Sequence, residues 1–85
     1  MTSRRIGKFS INLVMIEDAP AAVRTIMAQC VIVRAEMHYE LTTIEYIALC
    51  EEFDEVPLGQ RAPEYKWNVA EIDLGLYRVQ AERVA

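Results

Sequence analysis

The chain is poor in residues that break a fold or staple one. Of its 85 residues, three are glycine, three proline, two cysteine and one histidine. Scarce Gly and Pro, with 53% hydrophobic and 26% charged residues, exclude a collagen-like, low-complexity or disordered chain. Cys30 and Cys50 cannot build the disulfide framework of a small extracellular scaffold. Both lie in apolar stretches, where a free thiol acts as a small hydrophobe. Positive charge is also short: nine Lys and Arg stand against thirteen Asp and Glu, a formal net charge of −4. Duplex nucleic acid needs a basic footprint, so no nucleic-acid partner is expected. No apolar run reaches the roughly 18 residues of a membrane span, so no membrane partner is expected either. Ser3-Arg4-Arg5 resembles the start of an export signal, but Ser10 and Asn12 interrupt the apolar run behind it and Glu17-Asp18 follows. It reads as a charged lead-in to a strand, and the expected location is cytoplasmic.

What is present organises one domain, 1–85. For this mass the folded surface is expected near ~5,100 Å², with about 64% of the unfolded surface buried. Phe9, Ile11, Leu13 and Met15 alternate with Lys8, Ser10 and Asn12, the period of a strand, which Val14 and Ile16 extend. Asp18 and Pro20 suit a helix start, and Val23, Ile26, Met27 and Cys30 form one apolar stripe of a helix over about 19–29.

The stretch 30–52 has two readings. A helix from 19 to about 52 would align Val23, Ile26, Cys30, Val33, Met37, Leu41, Ile44 and Ala48. A hairpin suits the β-branched run Val31-Ile32-Val33 better, and the helix would expose Ile32, Tyr39, Tyr46 and Leu49 on its polar side. With a two-residue turn at Thr42-Thr43, Leu41 faces Ile44, Tyr39 faces Tyr46, Met37 faces Ala48 and Ala35 faces Cys50. The hairpin is preferred, although Thr-Thr lacks the usual turn residues. Residues 51–62 form the long loop, pinned by Phe53, Val56 and Leu58. A second hairpin turns at Asp73-Leu74-Gly75, with Ile72 opposite Leu76, Val69 opposite Val79, Trp67 opposite Ala81, Lys66 opposite Glu82 and Asn68 opposite Gln80.

The expected fold is therefore α+β, an antiparallel five-stranded sheet with one helix packed on one face, in the order β-α-β-β-β-β. The opposite face would carry Val14, Ile16, Ile32, Ile47, Leu49, Ala70, Ile72 and Leu76. So much apolar surface predicts a covering partner, most simply a second copy, giving a homodimer.

Few constellations carry chemistry. His38 would share a strand face with Glu36 and Glu40, with Glu45 opposite Glu40. One imidazole and several carboxylates could hold a divalent cation or act as an acid–base pair, but no spacing is that of a ligand motif, and a solvated charged face is the simpler reading. Cys50 falls on the face opposite His38, which disfavours a Cys–His nucleophile. No phosphate loop, Ser-His-Asp spacing or Cys-x-x-Cys is present. Neither a catalytic residue nor a cofactor or metal is expected, and the chain leans away from being an enzyme. Tyr39, Tyr46, Tyr65, Trp67 and Tyr77 fall on core faces. They either pack the core or line a site for a small apolar or aromatic ligand, closed by the 51–62 loop. The expected function is a small soluble binding module that self-associates, with ligand binding near Trp67 as the alternative.

Overall fold

Alternation begins at the very start of the described chain: the computed structural model describes residues 3–84. Strand β1 runs Ser3–Asn12 and turns Phe9 and Ile11 into the core. It does not continue through Ile16. The Asn12 side chain accepts a hydrogen bond from the Val14 N–H at 2.8 Å and caps helix α1, Leu13–Asp18. Satisfying a free helical N–H favours helix over two more strand residues. Met15 and Ile16 thereby pack against the core. Ala19, held out of helical geometry (φ −136°, ψ 58°) before Pro20, separates α1 from α2, Pro20–Ala28. The N-cap of α2 is thus Ala19, with no side-chain cap, and not Asp18. Ala22 and Ile26 are the buried stripe of α2, flanked by half-buried Val23 and Met27.

The stretch after Gln29 is a hairpin of β2, Cys30–His38, and β3, Thr43–Cys50. Its register differs from the Thr42-Thr43 expectation by four positions: Met37 lies opposite Ile44 and Ala35 opposite Tyr46. A two-residue turn would demand positive φ from two β-branched residues. The chain instead makes a 3₁₀ turn at Tyr39–Leu41 and places only Thr42 in the left-handed region, at φ 51°. Four is an even number, so from Ala35 to the turn each side chain keeps its expected face. Beyond that, a β-bulge between Ile32 and Arg34 reverses the phase, bringing Ile32 opposite Ala48 and Cys30 opposite Cys50.

The expected single five-stranded sheet is replaced by two sheets and two helices. β2, β3, β1 and the short β4, Glu55–Pro57, form an antiparallel sheet in the order β2-β3-β1-β4. β5, Tyr65–Asp73, and β6, Leu76–Arg83, form a separate antiparallel hairpin. The four mid-hairpin pairs Lys66–Glu82, Trp67–Ala81, Asn68–Gln80 and Val69–Val79 are as expected. At the tip a bulge at Ile72 brings Asp73 opposite Leu76, and Gly75 takes φ 74° in a tighter turn than the three-residue loop expected.

The core lies between the four-stranded sheet and a layer made of α2 and the β5–β6 hairpin. Phe9, Ile11, Ala48 and Cys50 come from the sheet, Ile26 from α2, Phe53 from the loop, Tyr65 from β5 and Val79 from β6. Phe53 and Val56 pin the loop as expected, whereas Leu58 is exposed. Gly7 makes the closest approach possible: a Cβ there would lie 2.6 Å from the Tyr65 ring and 2.7 Å from the Phe53 ring.

Candidate functional site

The five aromatic candidates separate into two groups. Tyr46, Tyr65 and Trp67 join Phe9 and Phe53 in one cluster: Phe9 stacks on Tyr46 with centroids 5.3 Å apart, Phe53 stacks on Tyr65 at 4.3 Å, and Trp67 meets Phe9 edge-on at 5.7 Å. The Tyr65 hydroxyl accepts from the Asp54 N–H at 2.8 Å and anchors the loop. Among the described residues the Trp67 Nε1–H is enclosed without a partner. Tyr39 stands apart at the 3₁₀ turn, 81% exposed, and Tyr77 is half-buried on β6 opposite Glu71. The aromatic cluster is packed ring on ring, and two open depressions on the surface are lined by none of Tyr46, Tyr65, Trp67 or Tyr77.

The acidic cluster is also rearranged. Glu45 lies opposite Glu36, not opposite Glu40, which sits in the 3₁₀ turn. The carboxylates do have cationic neighbours: Arg34 holds Glu36 at 3.0 Å, and Lys8 Nζ stands 4.0 Å from Glu45. His38 Nε2 lies 3.8 Å from Glu45, beyond hydrogen-bond length. Among the described residues no three His, Cys, Asp or Glu side chains converge as a metal site. His38 sits at the opposite end of β2 from Cys30, ~26 Å away at ~3.3 Å per residue, so the two cannot act as one catalytic pair. Burial first, then neighbouring Cys50 and the charge of Glu52, push the Cys30 thiol up to about 12. A thiol so held is a poor nucleophile at neutral pH.

An open cleft of about 740 Å³ lies where the end of α2 meets the 50–55 segment, floored by Leu49 and Cys50. Its charges are of both signs. Arg5 is already committed, donating to Phe53 O at 2.8 Å and standing 3.9 Å from Glu55. Charge of both signs, with Arg5 already engaged, selects no ligand class.

The apolar surface is more informative. Of the eight residues expected on one uncovered face, only Ile47 and Leu49 belong to the sheet face turned away from α2, by the register of β3 with β1. Val14 and Ile16 are in α1, Ile32 lies beyond the β2 bulge opposite core-facing Ala48, and Ala70, Ile72 and Leu76 are on the projecting hairpin. Exposure concentrates at two places. β2 is an edge strand whose residues 31–36 are all exposed, with Val31 at 66% and Val33 at 58%. The hairpin tip exposes Ile72, Leu74 and Leu76. A β-branched run in water on an unpaired edge is a surface ready for strand addition. The run Val31-Ile32-Val33 was visible in the sequence, but its place at an edge follows from strand order, which periodicity does not encode. Gly7, which admits the Phe53–Tyr65 stack, carried no sequence signal beyond being a glycine inside a strand.

Comparison with known proteins adds no analogy: no protein family, no curated protein and no solved structure gives a significant match to this chain.

Proposed function

We propose that this chain is a small interaction module whose first partner is a second copy of itself. The observation that carries this reading is the unpaired β2 edge, with its β-branched run in water. The total surface supports it. The chain exposes 5970 Å², against ~5,100 Å² for a compact monomer of this mass. The excess is close to the ~800 Å² that one partner contributes to an ordinary specific interface. The radius of gyration, 13.2 Å, also exceeds the roughly 12 Å of a compact chain of this length. Sedimentation equilibrium at micromolar concentration is expected to give twice the 9.7 kDa chain mass. A monomer across that range overturns the reading.

A second reading, binding of a small aromatic ligand beside Trp67, has one observation in its favour. The Trp67 indole N–H is enclosed and unpaired, and such a donor costs about 1–3 kcal/mol until an acceptor reaches it. A screen of aromatic compounds bearing a hydrogen-bond acceptor, read by Trp67 fluorescence and melting temperature, is expected to find stabilising compounds on this reading. A flat response removes it.

A further inference from the structure

Resting on the self-association just proposed, the geometry points to its interface: two copies pair β2 with β2 about a two-fold axis at Ala35, making one continuous eight-stranded sheet. The backbone sets the ladder. Leu13 N–H donates to Thr42 O at 2.9 Å, in line with the β1–β3 register, and Lys8 N–H points the other way, to Pro63 O at 2.8 Å. Hydrogen-bonding direction alternates along antiparallel strands. Carried across β3, the alternation turns the backbone groups of Arg34, Glu36 and His38 toward β3 and those of Ala35 and Met37 outward. Among the described residues no strand lies beyond them. The bulge at Val33 ends the regular run, so the free ladder is Arg34–Met37.

Charge then selects the register. In a two-fold antiparallel pair the axis runs between the strands at the level of one residue, which faces its own copy. An axis at Arg34 opposes two guanidinium groups, and an axis at Glu36 opposes two carboxylates. An axis at Met37 sets Glu36 opposite the partner's His38 and leaves Arg34 with no carboxylate in the paired segment, because the 3₁₀ turn begins at Tyr39. An axis at Ala35 sets Arg34 opposite the partner's Glu36 and Glu36 opposite the partner's Arg34. Ala35, small and flat, meets its own copy, and the two exchange backbone hydrogen bonds. Within one chain Arg34 already holds Glu36 at 3.0 Å, so the axis joins two such pairs into a ring of alternating charge. That ring also meets a need visible in the monomer. Glu36 lies directly opposite Glu45, a like-charge pair that a second guanidinium would relieve.

Charge reversal tests the register with the full chain. Arg34 and Glu36 side chains are about half or more exposed, so R34E and E36R should fold, which far-UV circular dichroism checks. Each single variant opposes like charges across the axis and is expected to dimerise at least ~10-fold more weakly than the natural chain. An equimolar mixture of the two should form the heterodimer, and the double variant R34E/E36R should dimerise as the natural chain does. Dimers of either single variant as tight as the natural dimer, no heterodimer in the mixture, or no recovery in the double variant each overturn the β2 interface while leaving self-association standing. A natural chain that stays monomeric overturns both.

Discussion

Gly7 shows how one missing side chain shapes the core. The Phe53 and Tyr65 rings stack at 4.3 Å directly over its Cα, and an added methyl group would sit 2.6–2.7 Å from both. The rings cannot easily yield, since Phe53 is fully buried and Tyr65 is tied by its hydroxyl to Asp54 N. Gly7→Ala is therefore expected to destabilise by about 1–3 kcal/mol, the usual cost of overpacking. In thermal melts of a chain this size that is roughly 4–8 °C for each kcal/mol. Tyr65→Phe keeps the stack and removes only the acceptor for the Asp54 N–H. Its expected cost is about 1 kcal/mol by denaturant titration, the net worth of one such hydrogen bond.

Cys30 gives the residue scale its pH dependence. Its thiol, ordinarily near 9.0, is raised to about 12, chiefly by burial. The folded state therefore binds the proton more tightly than the unfolded state. The stabilisation is fully present below pH 9 and is lost as pH climbs toward 12. Tyr46, also raised by burial, adds in the same direction above its ordinary value of 10.0. Stability measured by urea titration is expected to fall through this alkaline window and to fall less in Cys30→Ala. At neutral pH, Cys30 labelling by iodoacetamide should be slow in the folded protein and fast in urea.

Among the elements, the β2–β3 connection is the most improvable. Thr42 holds φ 51°, a region a β-branched residue enters at a cost of order 1–3 kcal/mol. Asn tolerates it, so Thr42→Asn is expected to raise the melting temperature by several degrees, with the hairpin register unchanged in amide NMR contacts. This turn also marks where sequence reading falls short. The β5–β6 pairing is legible because Lys66 with Glu82 and Asn68 with Gln80 alternate with Trp67–Ala81 and Val69–Val79. Polar and apolar partners each label a face. Val31-Ile32-Val33 has no polar residue to mark its phase, so the bulge leaves no trace in the pattern. Asn12 fits a strand's polar face as readily as a helix cap, and only the bond to Val14 N decides.

At the scale of the whole molecule, the fold class and the doubled-back middle third follow from periodicity, whereas the division into four and two strands does not. β3 lies between β2 and β1, a neighbourhood set by long-range packing that no local repeat announces. The same limit applies to the candidate site. Tyr46, Tyr65 and Trp67 were legible as core-facing and meet in one cluster, whereas Tyr39, given the same reading, is exposed at the 3₁₀ turn. Exposure of β2 becomes apparent only once strand order is known.

The far side of the four-stranded sheet bears on how assembly stops. There the outermost strand is three residues long and ends in Pro57, whose ring nitrogen has no hydrogen to donate. A protomer joined to another along its long margin thus offers newcomers only a stub. The four-stranded sheet therefore gives growth no second long edge, and concentrated solutions should stay free of fibres.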